Sequence, residues 1–433
     1  MAKSRMAVSS THLEQLFLVN GLLWLCFFFL LSSCTPPQNT KGGVTATPPP
    51  IPTLQNNEPF IDTWNGIHLF QSFDYNIDNP APIARYYDFV WGASPENVQI
   101  FRSANPHLFL SYYFSFFRDS GIFGQQSATH SLDYWKRVHP DWILYQCDRK
   151  TPAYEDGLSN VPFNFTNPAV ISWEVQTYAQ PASDHGYDAI AADNVNMENL
   201  IGACGYYENG QWVQRYSGNV NDLQWRTDVA FWITSMQQAL HHLRHPLALI
   251  PNLGLGVVIP DDPQVQKVLS HIDGVLDESG FTDYGQGYVT GDKWLQTVQF
   301  IESVQQSGRA YFIENEFPTV GRSEIQWALA SYLMCKEHLA SVAITPIQGY
   351  GTDLRYSEYN AQIGSPADSM QEAQHVYWRT YTHGLSIVNP SATTAYTVAL
   401  PSGEHFVDLY GNAVTQQVTL PAHSGMVLLT TSA

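Results

Sequence analysis

From Gly66 onward the chain alternates short β-rich apolar runs with longer segments whose apolar residues recur at helical spacing. The apolar runs are Ile67–Phe73, Tyr87–Trp91, Leu108–Phe114, Tyr187–Asp193, Leu247–Pro251, Asp273–Glu278, Ala310–Glu314 and Val342–Pro346. Between them Asn221–His242, Lys293–Gln306 and Ser323–His338 read as amphipathic helices. Charge in the runs is largely held back to their C-terminal ends, the pattern of strands buried on both faces of a parallel sheet. Eight such runs match the number that closes a (β/α)8 TIM barrel, so the predicted fold class is α/β. A doubly wound sheet shares the alternation, but no glycine-rich phosphate loop follows the first run, and Gly254-Leu255-Gly256 is too short a match.

The pattern breaks in three places. Between the third and fourth runs, Ser115 to Asn167 forms a long excursion, and an insertion on the C-terminal face of a barrel is normally functional. After residue 383 the helical spacing stops, and Leu385–Asn389, Tyr396–Leu400, His405–Leu409, Val414–Leu420 and Met426–Thr430 read as the strands of a small all-β, sandwich-like module over 384–433. At the start, Lys3 and Arg5 precede an apolar run from Leu16 to Leu31, followed by Leu31-Ser32-Ser33-Cys34. This resembles the lipobox of a bacterial lipoprotein, in which small residues admit the peptidase and Cys34 takes the lipid; an uncleaved anchor is the alternative. Residues 1–34 are thus expected to be a signal and lipidation site, 35–57 a Pro-rich tether too polar to fold, and 58–383 the barrel. Export to the outer side of the cytoplasmic membrane, held there by a lipid anchor, follows from that reading.

Composition narrows the partners. Twenty basic residues against 39 acidic ones give a net charge of -19, which repels nucleic acid. Aromatics reach 13%, with 12 Trp and 24 Tyr, enough to fill a barrel core and still supply flat faces for sugar rings. Of five cysteines only Cys147, Cys204 and Cys335 lie in the body, without zinc spacing or a disulfide framework, although one bridge is open to an exported protein. No cofactor motif, barrel lysine for a Schiff base, nucleophile elbow or His-x-His metal pair is present; His68 stands alone on the first run.

Two runs carry the same local sequence. Asp188-Ala189-Ile190-Ala191-Ala192-Asp193 and Asp273-Gly274-Val275-Leu276-Asp277-Glu278 each open with Asp and place a carboxylate five positions later, at the strand's C-terminal end. Alternation along a strand then points Asp193 and Glu278 the same way, into the barrel mouth. Glycosidic cleavage needs such a pair: one carboxylate ionised as nucleophile or base, the other protonated to help the leaving oxygen depart. The longer Glu278 suits the acid and Asp193 the nucleophile or base, with Asp277 as the rival of Glu278 and a helix or loop cap as the bland role for Asp193. Asp74, Tyr112 or Tyr113, Trp142, Asn194, Asn252, Glu314 and Glu316 are the candidate contacts to a carbohydrate substrate.

Asp141-Trp142-Ile143-Leu144, Asn164-Phe165-Thr166-Asn167-Pro168 and the two Asp-opened strands resemble the hypothetical glycoside hydrolase TIM-barrel families, distantly related to the α-galactosidase and α-amylase clans. The resemblance spans roughly residues 66 to 380. It implies glycoside hydrolysis in a poly- or oligosaccharide, α-linked by the clan analogy, with Asp193 as nucleophile and Glu278 as proton donor. Ala189, Ala191 and a Glu in place of the clan's Asp are departures from the pattern. A catalytically silent glycan-binding lipoprotein is the competing class, separated from the enzyme by whether reducing sugar is released.

Overall fold

The computed structural model describes residues 63–431 except 122, 125–126, 155–159, 257 and 348, so the signal, Cys34 and the tether lie outside the described residues. Eight parallel strands form one sheet in sequence order: β1 (Phe70–Ser72), β2 (Phe89–Trp91), β3 (Phe109–Ser115), β4 (Ala189–Asn196), β5 (Ala248–Gly254), β6 (Gly274–Asp277), β7 (Ala310–Phe317) and β8 (Ala340–Pro346). A parallel bridge from Leu69 to Val342 joins the last strand back to the first, making the sheet a barrel. Each strand overlaps one of the apolar runs. The three long helices lie where periodicity put them, at Leu223–His241, Gly291–Gln306 and Arg322–Cys335.

The inside of the barrel is filled by complementary sizes. Phe70, Phe89, Trp91, Phe109 and Phe312 pack against Ala189, Ala191, Ala248, Ala310 and Ala343. Close packing needs this match of large and small residues, so the alanines of β4 belong to a barrel whose volume comes from aromatics on other strands. The opening aspartates of the two similar runs share one structural task. Asp188 Oδ2 accepts from the Leu110 amide, and Asp273 Oδ2 accepts from the Leu249 amide, each at 2.8 Å. Each ties the start of its strand to the preceding one in the barrel.

The excursion folds on its own small core of Trp135, Trp142, Ile143, Tyr145, Val161, Phe163 and Val170. Trp142 stacks on both Trp135 and His139, which also touch each other. A hairpin after β4, Ala203–Glu208 with Gln211–Gln214, pairs with Tyr145–Gln146, and a Cys147–Cys204 disulfide links the two insertions. The sequence allowed one bridge without indicating it, because the partners meet only through loop packing; Cys335 is buried and free. Trp142→Ala is expected to cost about 3–5 kcal/mol of stability, as for other buried tryptophans. Substrate affinity should change little per folded molecule, and denaturant unfolding beside a binding titration checks both.

The C-terminal sheet is antiparallel and begins at Gln371, ahead of the boundary read at 383/384. Gln371–Ala373 and Val376–Tyr381 already pair within it, the latter with Gly384–Asn389. A cut at 384 would split that hairpin. Leu385, Ile387, Val398, Leu400, Val418, Leu420 and Leu428 form its inner core. Its docking on the helix Arg322–Cys335 is polar as well as apolar: Arg379 Nη1 donates to the carbonyls of Leu333, Met334 and Lys336, capping the helix end.

Candidate active site

The site is built at the C-terminal end of β4, where the register slips. Ala192 faces Pro251 but Val195 faces Leu253, so Asp193 and Asn194 together oppose the single residue Asn252. Such a bulge re-aims side chains and is common beside active sites. Asn194 pays for it with a left-handed backbone (φ 59°), a conformation uncommon outside glycine. From there its amide donates to Asp193 Oδ1 at 2.8 Å and its Nδ2 to Asp193 Oδ2 at 3.0 Å. Tyr113 Oη donates to Asp193 Oδ2 at 2.7 Å. Asn252 Nδ2 completes the set at 2.9 Å from Asp193 Oδ1.

The same Asn252 nitrogen donates to Glu278 Oε2 at 2.6 Å. One donor therefore bridges the two carboxyls and bounds the separation of their facing oxygens by the combined length of two hydrogen bonds. Tyr350 Oη lies 3.4 Å from Glu278 Oε1. Burial pushes the Glu278 carboxyl up to about 8, and the nearby charges of Asp193 and then Glu316 push in the same direction, against the hydrogen bonds from Asn252 and Tyr350. The rival Asp277 points away: its Oδ1 accepts from the Ser279 and Gly280 amides, and its Oδ2 from Tyr311 Oη at 3.0 Å.

The candidate substrate contacts divide. Tyr113 points inward to Asp193, whereas Tyr112 packs outward on Phe123 and Tyr187, although its edge still borders the cleft. That cleft, of ≈ 770 Å³, is walled by Phe73, Tyr75, Tyr113, Arg118, Tyr178, Asp193 and Asn194 among others. Glu278 is not on that wall; it is partly exposed and joined to Asp193 through Asn252. Asp74 is buried behind the wall, its carboxylate holding the Ser94 amide at 2.9 Å and Asn97 Nδ2 at 2.9 Å, so it shapes a loop instead of meeting sugar. Trp142 is spent on the excursion's core, as described above.

Glu314 and Glu316 do share a face, but neither faces solvent. Glu314 is 0% exposed and Glu316 5%. The ladder between β6 and β7 runs to Asp277 and Ile313, one residue short of Glu278 and Glu314. Burial first, and then Glu278 and Glu316, hold Glu314 well above the usual carboxylate range. Of the two, Glu316 acts on Glu278 through its charge, raising it. Tyr350 and Arg118 went unnoticed in the sequence. The signal for Tyr350 was its place in the loop leaving β8, on the face where barrel enzymes keep their chemistry.

Asn252→Ala should lower kcat by about 10²–10³-fold, the usual cost of one oriented donor in such a site. It should also move the alkaline limb of the rate profile above pH of about 8, because the Asn252 hydrogen bond lowers the Glu278 value. A pH–rate profile measures both.

Residues 103–385 match the family described as hypothetical glycosyl hydrolase family 15. No curated protein matches the chain in sequence. Among solved structures, Amy13B of Eubacterium rectale is 11% identical, with 87% of this chain and 97% of that one covered at a TM-score of 0.47. The GH27 β-L-arabinopyranosidase of Geobacillus stearothermophilus is 9% identical, covering 85% and 96% at 0.46. An α-amylase from Malbranchea cinnamomea is 12% identical, covering 85% and 97% at 0.43.

Proposed function

We propose, from the premise that this chain belongs to hypothetical glycosyl hydrolase family 15, that it hydrolyses glycosidic bonds of a poly- or oligosaccharide with retention of anomeric configuration. The observation that carries the reading is the Asn252 nitrogen shared by Asp193 and Glu278. Retaining enzymes hold their carboxyls about 5–5.5 Å apart, while inverting ones leave roughly 6.5–9.5 Å for a water. A single bridging donor matches the shorter class. Asp193, an acceptor to four donors and fixed by a bulge, is the nucleophile. Glu278, raised to about 8, keeps its proton at neutral pH and is the acid. Its Oε2 accepts from Asn252, and its Oε1, with only the longer 3.4 Å contact from Tyr350 Oη, presents the proton to the leaving oxygen. Once that oxygen departs, Glu278 is the base that draws a proton from water attacking the glycosyl–Asp193 ester.

A polysaccharide panel read by reducing-sugar release tests the activity, and the anomer first formed, followed by NMR, tests retention. An inverted first product would sink the mechanism; glycan binding without release would favour the silent binder. Export is part of the same proposal. The Cys147–Cys204 disulfide supports an oxidising compartment. Cys34→Ala should leave the protein unprocessed or free of the membrane fraction, and unchanged mobility and fractionation would refute the lipobox.

A further inference from the structure

We propose that the cleft continues past Asp193, over Asn194, into a second carbohydrate site that takes one further unit of the same chain. A separate cavity of ≈ 200 Å³ lies there, against ≈ 770 Å³ for the main cleft, and Asn194 borders both. Its lining includes Asn196, Glu198, Leu200, Phe117 and Trp225. Asn194, Asn196 and Glu198 are alternate residues, so beyond the bulge they fall on one side of the strand and its extension. The polar row faces an apolar floor: Phe117 and Trp225 are buried, while Leu200 is 58% exposed, a large apolar side chain left at the rim. A concave apolar surface with a few placed amides and a carboxylate is the chemistry that recognises a sugar ring, with its C–H face on one side and hydroxyls on the other.

The polar row lies over two glycines. A Cβ on Gly254 would meet the Asn196 amide, and one on Gly256 the Glu198 carboxylate, so both side chains lie close over these two glycines. The Asn196 side chain makes no hydrogen bond among the described residues; Trp225 Nε1 takes its backbone carbonyl at 2.9 Å instead. That leaves the Asn196 amide open to a ligand hydroxyl. The kind of ligand rests on the hydrolase reading above; the cavity does not.

The test uses the full chain carrying Asp193→Asn and ladders of α-gluco-, α-galacto- and β-gluco-oligosaccharides, with binding measured by calorimetry. Affinity is expected to rise about tenfold at one step of a ladder. Asn196→Ala or Leu200→Ala, each added to that chain, should erase most of the step and leave shorter members of the ladder unaffected. Leu200 is exposed, so its variant folds whatever becomes of Asn196→Ala. A step that survives both substitutions, the absence of any step, or no binding by any ladder overturns the site. Hydrolysis by the unsubstituted chain is scored separately: a length step without bond cleavage sinks the hydrolase reading and leaves the site standing.

Discussion

Glu278→Gln is expected to abolish turnover on natural substrates, by about 10²–10⁴-fold, while leaving the fold at least as stable as before. The acid's work is confined to protonating a poor leaving group. A glycosyl fluoride or nitrophenyl glycoside, which leaves without that proton, should therefore lose far less. In the unsubstituted protein kcat/KM should fall as pH rises through about 8, because Glu278 must enter the reaction protonated. The stability sign is the reverse of a salt-bridged carboxylate's. Glu278 rises from 4.5 to about 8 on folding, so between those values the folded chain holds a proton that the unfolded chain releases. Its contribution to stability is fully present below 4.5 and is lost as pH climbs to about 8. Gln has no proton to lose. The variant should melt above the parent at pH of about 8 and level with it near pH 4, a strain stored at the site for function. Equal loss on activated and natural substrates would refute the acid role.

Asp193→Ala should cost about 10⁴-fold or more if Asp193 forms the glycosyl ester, as proposed above. Azide should restore part of the rate by entering the space the carboxylate leaves, and the product should be the glycosyl azide of the opposite anomer to the substrate. Retention of activity, or rescue with the substrate's own anomer, would refute the nucleophile. Asp193→Asn gives a second readout. The Asp193 charge is among the causes that raise Glu278, after burial, so the titration of Glu278, followed by carboxyl NMR, should move down from about 8. A Glu278 titration left in place would show that the Asp193 charge does not act on it.

The barrel was legible because its strands announce themselves twice, by apolar runs and by carboxylates held to their C-terminal ends. The placing of Asp193 and Glu278 side by side was legible from strand phase, because each stands five positions after the aspartate that opens its run. Asp277, one position out of phase, turns to Tyr311 instead. Trp142 and Asp74 misled because residue type tells nothing of which neighbour claims a side chain. Trp142 stacks on Trp135 within its own insertion, and Asp74 satisfies the Ser94 and Asn97 donors of the next loop.

What the sequence by itself determined is the strand count, the helix positions, the change to an all-β module and the place of Asp193 and Glu278 at the C-terminal ends of their runs, all set by local period and by the cost of burying charge. The tertiary structure decided the rest. The bulge that sets Asp193 and Asn194 opposite Asn252 is a slip between two strands, and no single strand encodes it. The Cys147–Cys204 bridge joins two insertions 57 residues apart, a pairing made by loop packing. Which acid keeps its proton depends on burial and on the charges of neighbouring strands, with Asp193 from β4 and Glu316 from β7 converging on a residue at the end of β6. Electrostatic fields act through space, and spacing along the chain carries no record of them.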